Sequence, residues 1–226
     1  MSGIIVALDF PTIEEARSMA ELVGSDVAGF KVGLELITGV GPQAISLIAA
    51  LDKPVFADVK LHDIPNTVGG AARRIAAAGA RWVTVHAAGG REMMEAAVEG
   101  MGGTGVLAVS VLTSFDEGDL DSIGIESRLD DQVVRLARLG ESAGAEGLVC
   151  APGDVLAVRE AGVDLTIFTP GIRVDLESTH DQKRVGTPAM AHEAGADYLV
   201  VGRPITRSGD PVMAAREINR SLGATT

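Results

Sequence analysis

The sequence predicts a parallel (β/α)8 barrel, an α/β fold in which eight strands alternate with eight helical stretches. Short apolar runs of β-type residues recur roughly every 28 residues, and a helical stretch follows each of them. The length of 226 residues suits one such barrel and leaves no stretch for a linker. Polar side chains stand where the predicted strands end, which is the active-site face of this fold. We therefore expect a single barrel domain over residues 1–226.

Each predicted strand is an apolar run that ends at a polar or glycine-containing stretch. The strands cover residues 4–8, 28–32, 54–59, 82–86, 106–111, 147–150, 165–169 and 198–201. Predicted helices begin at a capping residue or a proline, as at Thr12, where a Thr-x-x-Glu box precedes amphipathic residues. They cover residues 12–23, 42–51, 66–78, 91–99, 129–143, 152–161, a stretch ending near 194, and 211–222.

Two further stretches are predicted to be loops. Residues 115–127 are polar and acidic, and we attach no role to them. Residues 171–184 are too long and too polar for a plain connector, which favours a lid over the site.

Composition excludes several classes of function. A net charge of -12 and a pI near 4.7 argue against binding to nucleic acid or to an acidic membrane surface. There is no apolar run of about 18 residues or more and no signal segment. The single cysteine, Cys150, is expected to be a buried strand residue, and we expect a cytoplasmic protein. Any anionic substrate must therefore be met by local positive charge.

Lysine is scarce in this chain. Only Lys31, Lys53, Lys60 and Lys183 occur, whereas arginine occurs fifteen times. Arginine cannot release its proton in a protein, but the surroundings can shift the pKa of a lysine. The two lysines within apolar runs, Lys31 and Lys60, are therefore candidates for a chemical role.

The third predicted strand carries charge where a buried strand should have none. Asp58 and Lys60 are two residues apart and are expected to point the same way at its C-terminal end. Asp63 follows three residues later. Each charge lowers the cost of burying its neighbour, which favours a catalytic array. The alternative is an ion-pair cluster exposed to solvent at a strand end.

The loops after strands seven and eight are the usual phosphate site of this fold. Gly171 and Gly202 allow backbone N–H groups to approach an anion, while Arg173 and Arg203 offer planar forks for phosphate oxygens. Gln182 could fold over the phosphate from the predicted lid. The alternative interpretation is that these glycines only turn the chain and that these arginines are exposed to solvent.

The sequence resembles the orotidine 5′-phosphate decarboxylase family along its whole length. The central motif is Asp58-Val-Lys60-Leu-His-Asp63-Ile64-Pro-Asn-Thr67. Its Asp-x-Lys-x-x-Asp core is shared with other sugar-phosphate barrels, whereas His-Asp-Ile-Pro-Asn-Thr is more specific. The further matching segments are Ala-Leu-Asp9-Phe, Phe-Lys31-Val-Gly-Leu-Glu, Leu-Thr113-Ser, Thr-Pro170-Gly-Ile-Arg173, Asp-Gln182-Lys-Arg-Val-Gly-Thr-Pro and Val-Val-Gly202-Arg203-Pro-Ile-Thr.

The resemblance implies decarboxylation of orotidine monophosphate (OMP) to uridine monophosphate (UMP) without metal or cofactor. It assigns Lys31, Asp58, Lys60 and Asp63 to a charged tetrad, with Asp63 and Thr67 reaching the neighbouring site of a homodimer. The substrate contacts that it implies are Asp9 and Lys31 to the ribose, Thr113 to the pyrimidine, Arg173, Gln182, Gly202 and Arg203 to the phosphate, and Ile64 and Pro170 elsewhere on the nucleotide.

Two alternatives stay open at the level of the sequence. A Mg²⁺-dependent sugar-phosphate decarboxylase or aldolase of the same superfamily would share Asp-x-Lys-x-x-Asp and use the acids around a metal. A non-catalytic barrel would bind nucleotide without consuming it.

The chain has four histidines, His62, His86, His180 and His192. They lack metal-ligand spacing, and of these His86 is the one expected to line the pocket.

Overall fold

The structure, a computed structural model, describes residues 3–173 and 183–223 and confirms the predicted fold class. Eight parallel strands pair in sequence order, and the first pairs with the last to close a barrel. The strands are β1 Gly3–Ala7, β2 Gly29–Gly33, β3 Val55–Leu61, β4 Trp82–His86, β5 Val106–Val109, β6 Gly147–Val149, β7 Thr166–Thr169 and β8 Tyr198–Val201.

Helices surround the barrel and return the chain to its N-terminal face. They are α1 Ile13–Val23, α2 Leu34–Val40, α3 Gln43–Ala49, α4 Pro65–Ala77, α5 Arg91–Gly100, α6 Glu117–Ser122, α7 Leu129–Ser142, α8 Val155–Glu160, α9 Pro188–Glu193, α10 Arg203–Thr206 and α11 Pro211–Ser221. The predicted cap at the start of α1 is present. The Thr12 hydroxyl accepts a hydrogen bond from the backbone N–H of Glu15 at 3.3 Å and donates one to the Glu15 carboxylate at 3.0 Å.

Three short helices were not predicted. α2 has seven residues between Gly33 and Gly41, and α10 is a single turn after β8. α6 lies within residues 115–127, where we expected only loop. Only Leu120 of α6 is buried, so its sequence has no apolar periodicity to reveal it. Its start is instead fixed by a capping box between Asp116 and Asp119.

Aromatic side chains fill the N-terminal half of the barrel. The Phe168 ring packs edge-on against Phe56 at 5.7 Å and Trp82 at 5.1 Å and stacks on Tyr198 at 4.7 Å between centroids. Trp82 and Tyr198 are the first residues of β4 and β8. The interior is therefore a packed core at this end, and the open end lies where the strands finish. In the part of the chain that the structure describes, no helix has the length and apolarity to cross a bilayer.

Glu146 connects three strands at the N-terminal face. Its carboxylate accepts two hydrogen bonds from the Arg81 guanidinium, at 2.6 and 2.9 Å, one from Trp82 Nε1 at 2.9 Å and one from the Gly105 N–H at 2.8 Å. Burial raises the pKa of Glu146, but these hydrogen bonds outweigh burial and hold the pKa below its usual value. The carboxylate therefore stabilises the fold mainly in its ionised form.

Replacing Glu146 by Ala should lower the free energy of unfolding by about 1–3 kcal/mol, because the Trp82 and Gly105 N–H groups lose their acceptor. Urea denaturation at neutral pH measures this loss. The matched control is Glu21→Ala, which removes an exposed carboxylate paired with Arg17 on α1 and should change stability by less than about 0.5 kcal/mol. The effect of Glu146→Ala should shrink in acid, as the pH falls through the depressed pKa of Glu146. Equal effects of the two substitutions would contradict the prediction.

Candidate active site

A cavity of about 930 Å³ opens at the C-terminal ends of the strands. Most of the predicted site residues line it. They are Asp9, Lys31, Asp58, Lys60, Thr113, Pro170, Gly171, Arg173, Gly202 and Arg203. These residues come from loops and strands far apart in sequence, so the closed barrel is what brings them together.

Four of these side chains form a chain of alternating charge, which we call the charged array: Asp9, Lys31, Asp58 and Lys60. Lys31 Nζ lies 2.9 Å from Asp9 Oδ1 and 3.6 Å from Asp58 Oδ2. Lys60 Nζ lies 2.8 Å from Asp58 Oδ1. The Asp58 side chain is only 13% exposed, so each of its oxygens faces an ammonium group in a mostly buried setting.

Gly33 makes room for the array. A Cβ atom at this position would lie 2.7 Å from Lys31 Nζ and 2.9 Å from Asp9 Oδ1. Any larger residue would therefore displace the ion pair between these two side chains. This steric requirement explains the glycine in Phe-Lys31-Val-Gly33.

The array depends on an irregularity in β3. The pairing with β4 shifts between Ala57 and Leu61, which face Val83 and Val85, so four steps along β3 match two along β4. Lys60 sits in this bulge with φ at +49°, a left-handed conformation that costs energy in a non-glycine residue. The expectation that Asp58 and Lys60 point to the same site is correct, but regular strand alternation was the wrong reason. The bulge directs the Lys60 side chain toward Asp58 and the cavity.

Thr84 of β4 holds the bulge in place and was missed by sequence analysis. Its hydroxyl oxygen accepts a hydrogen bond from the Lys60 backbone N–H at 2.9 Å and donates one to Asp58 Oδ1 at 3.0 Å. Thr84 is fully buried. A buried threonine in an apolar strand gives no functional signal, because threonine is common in strands.

Neighbouring opposite charges keep Lys31 and Asp58 ionised. Burial alone lowers the pKa of Lys31, but Asp58 and then Asp9 outweigh it, so the pKa of Lys31 rises above its usual value. Burial raises the pKa of Asp58, but Lys31 and Lys60 outweigh it and lower that pKa. At neutral pH Lys31 and Asp58, the two most buried members of the array, are therefore both charged.

The opposite end of the cavity is rich in arginine. Arg173 is buried there and donates a hydrogen bond to the Ile172 carbonyl at 2.8 Å, while Gly171 has φ at +83°, which favours glycine. Arg203 begins α10, and Arg207, which sequence analysis missed, also lines this end. Among the described lining residues, five are basic and three acidic, so the site is locally positive within an acidic chain.

Three predicted residues lie outside this cavity. Asp63, Ile64 and Thr67 are exposed at the rim, Ile64 at 67%. The Asp63 carboxylate accepts a hydrogen bond from the Ile64 N–H at 2.6 Å. Gln182 and most of the predicted lid, residues 174–182, lie outside the described residues.

Cysteine and histidine take no direct part in the array. Cys150 lines the cavity wall but is buried, as expected, and burial raises the pKa of its thiol. His86 does not line the cavity, contrary to expectation, and packs against His62 at 5.5 Å between ring centroids. Burial, then His62 and Lys60, lower the pKa of His86. Over residues 3–173 and 183–223, no group of three or more potential ligand side chains could hold a metal ion.

Comparison with known proteins gives full-length matches. Residues 2–218 match the model of the family described as orotidine 5′-phosphate decarboxylase / HUMPS. The orotidine 5′-phosphate decarboxylase of Anaeromyxobacter sp. (strain K) is 53% identical over 221 residues, which cover 97% of each chain. That of Thermobifida fusca is 47% identical over 224 residues, covering 98% of this chain and 96% of the relative. The crystal structure of orotidine 5′-phosphate decarboxylase from Lactobacillus acidophilus has a TM-score of 0.86 at 34% identity, covering 99% of this chain and all of that one.

The hydrogen bonds of Thr84 predict a strong effect of its hydroxyl on activity. Thr84→Val keeps the shape but leaves the Lys60 N–H without its acceptor and removes the hydroxyl that donates to Asp58. We expect kcat/KM to fall by about 10- to 100-fold, the value of one hydrogen bond to a charged group. Thr84→Ser keeps the hydroxyl and should stay within a few-fold of the parent chain. Steady-state kinetics measure both variants, and equal losses in the two would contradict the role of the hydroxyl.

Proposed function

The chain belongs to the orotidine 5′-phosphate decarboxylase / HUMPS family, and we propose that Lys60 drives its decarboxylation of OMP to UMP and CO₂. Relatives with full-length matches are named orotidine 5′-phosphate decarboxylases, so this is the activity of the chain, and a Mg²⁺-dependent sugar-phosphate decarboxylase or aldolase is not favoured. The observation that carries the mechanism is the Lys60 ammonium, fixed 2.8 Å from a buried carboxylate inside the cavity.

The reaction requires a cation at one ring carbon. When the bond between that carbon and the carboxylate breaks, CO₂ leaves and the electron pair stays in the plane of the ring, where the π-orbitals cannot delocalise it. A preorganised ammonium group at this carbon stabilises the developing charge. Lys60 then transfers a proton from Nζ to the carbanion, which gives UMP, and the lysine regains a proton from solvent.

The remainder of the array positions Lys60 and the sugar. Asp58 orients Lys60 by accepting a hydrogen bond from its ammonium group, and Lys31 balances the charge of the second oxygen of Asp58. Asp9 and Lys31 would bind the ribose hydroxyls, and Thr113 the pyrimidine. No step needs a cofactor, because the electron pair goes directly from the broken bond to a proton.

The arginine-rich end would bind the phosphate. Arg173 and Arg203 line that end, and Gly202 precedes Arg203 at the start of α10. Guanidinium groups match the geometry of phosphate oxygens. Binding energy from this remote group can be used to orient the ring at the reacting end. Gln182 would add a contact, and Pro170 would line the nucleotide.

The exposed rim supports a homodimer. Asp63, Ile64 and Thr67 carry polar and apolar groups at the cavity mouth without entering it, which suits contribution to a neighbouring site. Asp63 of a second copy would complete the charged tetrad, and Thr67, in the first turn of α4, would reach the same site.

Two further predictions concern the chain as a whole. The described residues form one closed barrel, which supports a single domain over residues 1–226. The single free cysteine supports a cytoplasmic location.

Lys60→Ala should abolish turnover without unfolding the chain, because the change removes a cation and proton donor rather than core packing. We expect kcat to fall by at least about a thousandfold. The ultraviolet change that accompanies loss of the orotate carboxylate measures turnover, and EDTA in the assay should have no effect. Lys53→Ala, which removes a lysine bonded to the Val27 carbonyl outside the cavity, is the control and should retain activity. Substantial turnover by Lys60→Ala would remove Lys60 from the mechanism, and inhibition by EDTA would favour the metal-dependent alternative.

Mixing two inactive variants tests the shared site. Lys60→Ala damages the site of its own subunit, whereas Asp63→Ala should damage the site of the neighbour. In dimers that exchange freely, mixed dimers contain one intact site, so an equal mixture should recover about a quarter of parent activity. Activity is measured after joint refolding, and Lys60→Ala mixed with Asp58→Ala serves as the control with no recovery. Absence of recovery from the first mixture would show that Asp63 acts within its own chain, and an active Asp63→Ala variant would show that Asp63 has no role in either site.

A further inference from the structure

A short segment joins the two ends of the cavity. Residues 183–186, which we call the bridging segment, lie between the loop after β5 and the loop after β7. One edge of the segment bonds to the first loop and the other edge to the second.

The first edge holds the end that would bind the pyrimidine. The backbone N–H groups of Lys183 and Arg184 both donate to the Thr113 carbonyl at 3.1 Å. The Arg184 guanidinium donates to the carbonyls of Val111 at 2.9 Å and Leu112 at 3.0 Å. Three consecutive carbonyls are therefore held by two residues, and all three of the held residues line the cavity.

The second edge holds the end that would bind the phosphate. The Arg173 N–H donates to the Gly186 carbonyl at 2.9 Å, and the Gly186 N–H donates to the Gly171 carbonyl at 3.1 Å. Gly171 and Arg173 both line the cavity. The bridging segment is thus a continuous mechanical connection from one end of the cavity to the other.

An exposed ion cluster fastens this segment. Lys183 Nζ lies 2.6 Å from Asp116 Oδ2 and 2.8 Å from Asp119 Oδ2. The capping box of α6 orients both carboxylates, since each accepts the backbone N–H of the other residue. The hydrogen bond between Lys183 and Asp116 holds the pKa of Asp116 below its usual value and raises the pKa of Lys183, so this pair is ionised at neutral pH.

We propose that Asp116 and Asp119 act through Lys183 as positioning residues, which hold the bridging segment so that phosphate bound at one end orients the pyrimidine at the other. This inference rests on the proposed function. α6 buries only Leu120, so the helix adds little to the core, and its acidic start is explained by the lysine that it holds. Arg184 is fixed separately by its buried ion pair with Asp154, which leaves Lys183 as the end of the segment that the exposed cluster controls.

The test removes the acids without removing the helix cap. The double variant Asp116→Asn with Asp119→Asn keeps oxygen atoms that can accept the capping hydrogen bonds but has no charge for Lys183. The matched control is Glu117→Gln with Asp121→Asn, which removes two charges from the same helix at exposed positions away from Lys183. Both are assayed on OMP and on orotidine, the same nucleoside without phosphate.

We expect the first variant to lose roughly two- to tenfold in kcat/KM for OMP, the scale of exposed ion pairs, with orotidine turnover nearly unchanged. The control should match the parent chain on both substrates, and Lys183→Arg should retain most of the activity. High salt should narrow the difference between parent and variant, because it screens the exposed pairs.

Three outcomes would decide against the inference. Equal losses on OMP and orotidine would mean that the cluster only supports the fold, and an equal loss in the control would mean that net charge is responsible. No loss in the variant would also overturn it. A parent chain that leaves OMP unchanged would overturn the proposed function. In that case the ratio of UMP to uridine affinity, measured by calorimetry, still tests the coupling: the ratio should fall in the variant alone, and an unchanged ratio would overturn the inference.

Discussion

The active site depends on one buried carboxylate held between two ammonium groups. Taking Asp58 out of water is costly, and so is burying Lys31, but each ion lowers the cost of the other. Removing either ion would leave the other with a single partner, Lys60 for Asp58 or Asp9 for Lys31. The surrounding features serve this constraint: Gly33 leaves space for Lys31, the bulge turns Lys60 toward the same carboxylate, and Thr84 ties the bulge to it.

The fold could be predicted from the sequence because its signals are repeated. Eight apolar runs with helical stretches between them are compatible with few closed arrangements, and errors at single boundaries do not alter the count. Much of the site followed from the fold, since polar residues at strand ends must meet at one face. The scarcity of lysine then separated Lys31 and Lys60 from the many arginines, and both lie in the charged array.

The parts that could not be predicted depend on contacts between strands or on short elements. The bulge at Lys60 exists only relative to the register of β4, which no local pattern in β3 encodes. Thr84 acts through hydrogen bonds to Lys60 and Asp58 on the neighbouring strand β3, which the sequence of β4 does not reveal. α6 is too short to show periodicity, and its capping acids resemble an ordinary exposed acidic loop until the structure brings Lys183 against them. The left-handed backbone conformation of Lys60 is strained, and the hydrogen bond from its N–H to Thr84 helps to hold it.

The choice of lysine over arginine follows from the spacing of the site. The charged array places successive opposite charges 2.8 to 3.6 Å apart, and Lys31 Nζ occupies a space limited by the backbone at Gly33. A planar guanidinium is too broad for this space and cannot give a proton to carbon. At the other end of the cavity, where we propose that the phosphate binds, arginines line the wall. In the proposed function, lysine therefore stands at the end of the cavity where a proton is transferred, and arginine at the end where none is.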